Sequence, residues 1–351
     1  MKITGIVFLA LILSFTLFFL WASFPWSLSG GTRKVAVIQL DEAVLNDPNE
    51  EEGVIKVLTW NLGFLYGKGS EGPGYEYRDA NFYKERLEEL VSFIRKENPD
   101  VLCLQEIDFD SSRSGGINQA RELALKAGYP YLAQAISWEA QYIPFPYWPL
   151  ERNFGSMKSG GAILSKYPIS DHTVELFPKP TSHPWWYNLF YLHRYVQTAK
   201  ITIRDKDYVF MNLHLEAFDK VDRLKQVKLL QEKTKDGKVD FIAGDFNMVP
   251  GRATKKRNFT DSTDDYENDE SFMVMSSGQL KEAIPEEIYL GSESRYFTFP
   301  SWKPDRRLDY IFYDSSHRLM RAEVLSSKLS DHLPLKASFQ ISGPKYNIYS
   351  Q

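Results

Sequence analysis

The sequence predicts a domain of mixed α and β structure behind an N-terminal hydrophobic helix. A chain of 351 residues with 43% hydrophobic content can bury a full core, in one large domain or two small ones, and we favour one. Short β-branched or aliphatic runs recur along the chain, and amphipathic helical patterns lie between them. An uncharged apolar segment precedes all of these elements. Sheet topology does not follow from this pattern.

The first element is the apolar segment Ile3–Trp26, which carries no charged side chain. About 20 apolar residues in a helix span a bilayer core. A cleaved secretory signal is the alternative, and Ser27-Leu28-Ser29 offers it a cleavage site. The apolar region of such signals is normally about 7 to 15 residues, so this run is too long for one. We predict a transmembrane anchor or signal segment over residues 1–28, and favour the anchor.

The orientation of this segment is nearly balanced. Lys2 lies on one side of it, and Arg33 with Lys34 lies on the other. We favour a single-pass membrane protein whose main domain is exported, or a secreted protein if the segment is cleaved.

Residues 29–53 are predicted to be a linker. They contain Gly30-Gly31 and the acidic cluster Asp47–Glu52, and no convincing strand precedes Val54. The globular domain is therefore predicted over residues 54–342.

Eight strands and three helices are predicted in this domain. The strand candidates are Val54–Trp60, Val101–Gln105, Gly161–Ser165, Gln197–Ile203, Tyr208–Leu213, Val239–Gly244, Leu308–Tyr313 and Lys336–Ile341. The helices are marked by apolar residues at helical spacing: Phe82, Leu87, Leu90, Val91 and Ile94; Ile117, Ala120, Leu123, Ala124 and Ala127, stopped by Gly128; and Leu224, Val227 and Leu230.

Two stretches are rich in proline and aromatic residues, Tyr142–Pro149 and Pro178–Tyr191. Their apolar residues follow neither the helical nor the strand periodicity, so both stretches are predicted to be long structured loops. Such loops either shape a substrate pocket or pack over a small core of their own. Trp185-Trp186-Tyr187 is also a sequence that favours a membrane interface.

Charge and cysteine content limit the possible functions only mildly. The formal net charge of -4 gives no general attraction to polyanions, which weighs against a dedicated DNA-binding protein. The single cysteine, Cys103, excludes an intramolecular disulfide framework and leaves both oxidising and reducing compartments open.

Four predicted strands end in a polar residue that a buried strand has no use for: Asn61, Glu106, His214 and Asp245. Each alone has an ordinary structural explanation, such as a turn or a solvated loop. Strand ends on one edge of a sheet converge, so together they indicate a functional site. Oxygen ligands with few histidines suit Mg²⁺ or Mn²⁺ better than Zn²⁺.

The C-terminal part of the chain adds Asp309, Asp331 and His332. An aspartate beside a histidine orients the imidazole and stabilises its protonated form, an arrangement common in acid–base catalysis.

Seven motifs in this order resemble those of the endonuclease/exonuclease/phosphatase superfamily. They are Thr59-Trp60-Asn61, Pro99–Glu106, Gly160–Pro168, Asn212-Leu213-His214, Gly244–Asn247, Arg307–Ile311 and Ser330-Asp331-His332. The resemblance runs from about Val54 to Ile341. It implies a four-layer α/β sandwich of two packed β-sheets flanked by helices, with divalent-metal-dependent phosphoester hydrolysis at one edge.

The resemblance also implies a role for each matching residue. Glu106 is the principal metal ligand, with Asn61 and Asp331 helping to hold the ion. Asp245 positions or deprotonates the attacking water, and Asn247 and His214 contact the phosphoryl oxygens. His332, paired with Asp309, stabilises the phosphorane or acts in acid–base catalysis. Many members set an acidic residue against the histidine equivalent to His214, and the sequence does not place that partner.

The substrate stays open between a lipid headgroup and nucleic acid. The apolar N-terminus favours a lipid, whereas Lys255-Lys256-Arg257 and Arg306-Arg307 would supply a nuclease with a modest basic groove. A third possibility is a catalytically inactive, membrane-tethered binding module of the same fold. All eight matching positions carry chemically competent residues, which argues against it. No protein partner is predicted.

Overall fold

The computed structural model describes residues 2–26, 28–41, 53–68, 75–259, 261–262 and 264–341. Its strands are β1 Gly31–Lys34, β2 Val37–Gln39, β3 Val54–Asn61, β4 Val101–Asp108, β5 Tyr131–Ile143, β6 Gly155–Ser165, β7 Ile169–Leu176, β8 Tyr195–Ile203, β9 Lys206–His214, β10 Phe241–Asp245, β11 Lys281–Glu282, β12 Asp309–Tyr313, β13 Arg318–Val324 and β14 Leu335–Gln340. Its α-helices are α1 Lys2–Ser23, α2 Ala80–Glu97, α3 Gln119–Ala127, α4 Trp185–Asn188, α5 Lys220–Thr234, α6 Ser271–Ser276 and α7 Glu286–Gly291.

The strands form two seven-stranded sheets that pack face to face. One sheet has the order β1-β7-β8-β9-β10-β12-β11, and the other has the order β13-β14-β3-β4-β6-β5-β2. Both mix parallel and antiparallel neighbours. With helices on the outer faces and the apolar α1 at the N-terminus, the predicted α/β sandwich is confirmed.

Alternation along the strands builds the layers. Val57 of β3 faces the other sheet and packs in one cluster with Phe210 of β9. Its neighbour Leu58 faces outward and packs with Leu90 of α2. Leu213 of β9 in the same way packs outward in the cluster that holds α5 and α6. A side-chain period of two on a buried strand therefore produces a helix, sheet, sheet, helix order.

The three predicted helices are present, and their ends have recognisable caps. Asp79 accepts a hydrogen bond from the Phe82 amide at 2.9 Å and starts α2. Asp219 accepts from the amides of Val221 and Asp222 at the start of α5. Gly128 ends α3 in the left-handed conformation, at φ 82°, as its position predicts.

All eight predicted strands are present, but the predicted linker is more structured than expected. β1 pairs with β7 and β2 pairs with β5, so this segment supplies an edge strand to each sheet. The domain boundary predicted at residue 54 therefore misses two strands, because such short, half-exposed segments gain strand structure only from backbone pairing. The acidic cluster at 47–52, Ser27 and the predicted domain end at 342 lie outside the described residues.

The proline-rich stretches differ in detail from the predicted loops. Tyr142 and Ile143 still belong to β5, and the loop proper follows them. The second stretch contains one helical turn, α4.

Helix α1 is long and apolar enough over Thr4–Ser23 to cross a membrane, as a membrane anchor or a signal sequence. Its first turns are exposed, but its last turns contact the domain. The ring of Phe19 lies 5.0 Å from that of Phe190, edge to face, and the ring of Phe18 lies 6.0 Å from that of Tyr142. Just beyond the helix, the carbonyl of Phe24 accepts a hydrogen bond from the amide of Gln141 at 2.6 Å.

Candidate active site

Sheet topology brings the polar strand ends together at one edge of the sandwich. β3 and β4 are parallel neighbours in one sheet, and β9 and β10 are parallel neighbours in the other, where Asp245 lies beside His214. The antiparallel β12 begins at Asp309, directly opposite Asp245. All five of these strands therefore place a polar residue at the same edge.

Asn61 joins the two sheets at this edge. Its Nδ2 donates to Glu106 Oε1 at 2.9 Å and to Asp245 Oδ2 at 3.0 Å. Its Oδ1 accepts from the amide of Gly63 at 3.0 Å, which fixes the orientation of the amide. One buried side chain thus holds two carboxylates side by side. With this orientation the Asn61 oxygen is turned to the backbone.

Asp309 and His332 form a buried pair. His332 Nδ1 lies 2.8 Å from Asp309 Oδ2, and its Nε2 lies 3.7 Å from Asp245 Oδ2. The indole of Trp60 donates to the carbonyl of His332 at 2.9 Å and holds the backbone there. Burial alone would lower the pKa of His332, but the carboxylates of Asp309 and Asp245 outweigh it and raise that pKa to about 10.

Asp245 is buried completely, and burial raises its pKa to about 7 although His332 and the Asn61 hydrogen bond act in the opposite direction. Its Oδ1 accepts from the amide of Asn247 at 2.9 Å, the Asx-turn that the sequence allows. The Asn247 side chain donates to the carbonyl of Leu215 at 3.0 Å.

His214 contacts an arginine that the sequence did not nominate. Its Nε2 lies 2.5 Å from Arg194 Nη1, 3.5 Å from Asp245 Oδ2 and 3.8 Å from Glu106 Oε1. Burial and the neighbouring Arg194 lower the pKa of His214 well below its usual range, so the ring is neutral and accepts from the guanidinium. Glu216, fully buried, holds Arg194 through Oε2 at 3.4 Å from Nε.

This geometry is accompanied by a family match over residues 58–332, to the model of the Endonuclease/Exonuclease/phosphatase family. The chain belongs to this family. A search of curated proteins found no match. Similar solved structures include an endonuclease/exonuclease/phosphatase from Beutenbergia cavernae, with 20% identity and a TM-score of 0.59, covering 83% of this chain and 72% of that one.

Two further similar structures carry more specific names. A mannosyl-6-phosphatase from Bacteroides thetaiotaomicron is 16% identical with a TM-score of 0.53, covering 81% of this chain and 99% of that one. The human Nocturnin catalytic domain with bound sulfate is 18% identical with a TM-score of 0.53, covering 88% of this chain and 97% of that one. At these identities the likeness establishes the fold, which is that of phosphatase and nuclease hydrolases.

The eight residues nominated from the sequence lie close together. Asn61, Glu106, His214, Asp245, Asp309 and His332 form one chain of contacts no longer than 3.8 Å. Asn247 joins through Asp245. Asp331 joins through Ser330, whose hydroxyl lies 3.1 Å from Asp331 Oδ1 and 2.6 Å from the carbonyl of Asn61.

Glu106 has an unusual backbone conformation. Its φ is 49°, and the pairing of β4 with β6 shifts register between Leu104 and Ile107. A bulge of this kind turns one side chain out of the normal alternation. The Glu106 side chain is consequently 29% exposed, whereas that of Asp245 is 1% exposed.

Arg194 and Tyr195 are site residues that the sequence reasoning missed. β8 and β9 form a hairpin in which Ile203 pairs with Lys206 and Tyr195 pairs with His214. The two-residue turn has φ values of 49° and 63°, typical of a tight hairpin turn. Counting residue pairs back from this turn along both strands places Tyr195 opposite His214. The register of the hairpin was therefore the sequence signal that could have identified Tyr195 and its neighbour Arg194. The Tyr195 hydroxyl is buried without a hydrogen-bond partner among the described residues.

The donor set fits a divalent cation. The site gathers five carboxylates, of Glu106, Glu216, Asp245, Asp309 and Asp331, around two cationic groups, Arg194 and His332. The excess of negative charge in a mostly buried cluster favours a cation, and carboxylate oxygens are the ligands that Mg²⁺ and Mn²⁺ prefer. Ligand atoms of Asp245, Asp309 and His332 also lie within 4.8 Å of one another.

Proposed function

We propose that this chain is a membrane-anchored, divalent-metal-dependent phosphoesterase that acts mainly on phosphodiesters. The observation that carries the proposal is the Asn61 amide bonded to both Glu106 and Asp245, beside the buried His332–Asp309 pair. The arrangement supports a proposal in which Glu106 holds a metal ion and Asp245 accepts a proton beside the His332 imidazole, because Asn61 bonds to both carboxylates and His332 Nε2 lies 3.7 Å from Asp245 Oδ2.

In the proposed reaction a water oxygen attacks phosphorus, and the bond from phosphorus to the leaving alcohol oxygen breaks. A phosphodiester and water thus give a phosphomonoester and an alcohol. Asp245 accepts the proton of the attacking water, and its raised pKa suits a base that works near neutral pH. The leaving oxygen takes a proton in turn, so the overall step is balanced.

Charge on the phosphoryl oxygens is stabilised by three side chains in this proposal. His332 is positively charged because the Asp309 carboxylate stabilises its imidazolium form. Its Nε2 lies on the side of Asp245, where the phosphoryl group would bind. Arg194 and Asn247 are the further donors, and the neutral His214 keeps Arg194 in place. Glu106 and Asp331 would hold the cation, and Asn61, whose Nδ2 donates to Glu106, would position that carboxylate. A bound Mg²⁺ or Mn²⁺ supplies further charge neutralisation.

The contacts of α1 support an anchor that is retained. Ala22 and Ser23 are 1% and 2% exposed, and the backbone just beyond them bonds to β5. Cleavage after the helix would therefore remove a packed segment of the domain. We propose that the domain lies on the exported side of the membrane.

The inactive binding module is the alternative, and metal binding distinguishes the two. The full chain in nanodiscs is heated with EDTA, Mg²⁺ or Mn²⁺, and hydrolysis of 4-nitrophenyl methyl phosphate, plasmid DNA and sphingomyelin-type and phosphoinositide vesicles is measured. We expect the metals to raise the melting temperature and to support turnover that Glu106→Ala and His332→Ala both abolish. A chain that gains neither stability nor activity from either metal would favour the module.

A further inference from the structure

The active site opens into a large apolar cavity. Glu106, Arg194 and His214 line its inner end, and its volume is about 520 Å³, within the range of ligand pockets. Most of its remaining walls are aromatic. The charged exception is Arg113, whose Nη2 is neutralised by Asp108 Oδ1 at 2.9 Å.

The outer end of the cavity is walled by the membrane helix. Phe15, Phe18 and Phe19 of α1 line it, facing residues of the two proline-rich loops such as Tyr147 and Trp186. The same helix is long and apolar enough to cross a bilayer. The cavity therefore connects the point where α1 would leave the membrane with Glu106 of the site.

Large aromatic side chains are exposed next in sequence to Tyr147 and Trp186, which line the cavity. Trp148 is 77% exposed and Trp185 is 74% exposed, and each lies in one of the two loops. Tryptophan and tyrosine favour the headgroup region of a bilayer. Large exposed apolar surface commonly marks a site of membrane or protein contact, and here it lies in loops beside a helix long and apolar enough to cross a bilayer.

From these observations we propose that the cavity binds the hydrocarbon chain of a membrane lipid phosphoester, with the phosphate at the Glu106–His214 end. The proposal rests on the proposed phosphoesterase function and names its substrate class. The lipid enters from the bilayer beside α1, so the anchor forms part of the substrate site.

Nucleic acid is the other occupant that an aromatic groove suggests, because bases stack on such rings. It needs a positively charged track for its backbone. The two basic runs do not supply one, since Lys255 pairs with Asp305 at 2.6 Å, Arg257 with Glu267 at 3.0 Å and Arg306 with Asp261 at 2.8 Å. Arg307 is likewise paired, with Glu282. A polyanion would also have to pass the apolar end of α1.

The test uses a series of 4-nitrophenyl alkyl phosphates from methyl to octyl, which share one leaving group and differ only in the alkyl chain. The full chain is assayed in nanodiscs with Mn²⁺, and a single-stranded oligonucleotide is assayed in parallel. We expect kcat/KM to rise by up to about fourfold for each methylene that enters the cavity, the factor for removing a methylene from water.

Two variants and one control test whether the alkyl chain of the substrate lies in the cavity. Trp186→Asp puts a charge on the cavity wall, and Phe190→Ala removes the ring that contacts Phe19, so both should flatten the dependence on chain length. Trp148→Asp changes a tryptophan in the other loop that is more exposed than Trp186, at 77% against 50%, and does not line the cavity, so this variant should keep the wild-type dependence. Partition of the esters into the nanodisc is the same for all of these proteins. Trp186 is half-exposed, so its variant tests the proposal even if Phe190→Ala does not fold.

Three results would overturn the inference while leaving phosphoester hydrolysis intact: a flat chain-length series in the wild type, an unchanged slope in Trp186→Asp, or oligonucleotide cleavage faster than that of every alkyl ester. Failure to hydrolyse even the methyl ester, with the metal bound, would instead refute the proposed function and the inference together.

Discussion

Replacing Glu216 by glutamine removes the charge that holds Arg194 against His214. The Glu216 side chain is fully buried, and its Oε2 lies 3.4 Å from Arg194 Nε. Leaving one partner of a buried ion pair without its counter-charge costs about 3–5 kcal/mol. Glutamine can still accept from Tyr191 and from the amide of Phe218. We therefore expect a loss near the lower end, about 3 kcal/mol in the free energy of unfolding.

The same substitution should slow the reaction. Removing a donor to a developing phosphoryl charge costs about 10²–10³ in kcat, and a poorly aimed Arg194 should lose about tenfold to hundredfold. Asp100→Asn is a matched control, since Asp100 is fully buried and lies 3.4 Å from the buried Lys166 at the other end of β4. It should lose similar stability but keep its kcat/KM. Tryptophan fluorescence on heating and initial hydrolysis rates measure the two quantities. If Glu216→Gln kept wild-type kcat/KM after a comparable loss of stability, Arg194 would have only a structural role.

Three further predictions follow from single residues. At about 100 times the Kd of Mg²⁺, the wild type should gain about 2.7 kcal/mol of stability and Glu106→Ala should gain none; a retained gain would place the ion at Asp309 instead. Burial lowers the pKa of His172 from 6.5 to about 4, so the unfolded chain binds more protons between these values. Stability should therefore fall as the pH drops from about 6.5 to about 4, and denaturation curves of His172→Gln should show a fall smaller by up to about 3 kcal/mol; equal slopes would contradict this. In Gly161→Ala the new Cβ would meet the buried Tyr195 hydroxyl at 1.9 Å, so thermal unfolding should reveal a loss of about 1–3 kcal/mol, and an unchanged melting temperature would refute that packing.

The central strands could be predicted from the sequence because both of their faces are buried. β3, β4 and β10 are almost completely buried and consist mainly of apolar residues, so the composition alone identifies them. β13 was missed because Arg318–Val324 is rich in residues that favour helices, and its pairing with β14 overrides that preference. β5 was missed for a related reason. Its alanine, glutamine and glutamate residues form a strand only because β6 and β2 pair with both of its edges.

The site was predictable to the extent that it depends on strand ends. Asn61, Glu106 and Asp245 each follow an apolar run, and parallel pairing then brings such ends together. Arg194 does not follow a run but precedes one, so a search of carboxyl ends passes over it. The sequence alone also does not place the acidic residue expected opposite His214. Glu216 acts on His214 through Arg194, a contact that no spacing along one strand can predict.

The cavity could not be predicted, because its walls come from segments far apart in sequence. Phe19 of α1 contacts Phe190 of the second loop, and β5 bonds to both segments, through Gln141 to Phe24 and through Trp138 to Phe190. Each of these segments had its own explanation in the sequence: an anchor, a loop, an interfacial aromatic run. Under the proposals above their contact gives them one shared role, since the helix proposed to anchor the domain also encloses the approach to Glu106. Under the lipid proposal, shortening α1 from its N-terminus should weaken anchoring alone, whereas changing Phe19 should weaken hydrolysis of long-chain esters in a protein that remains anchored.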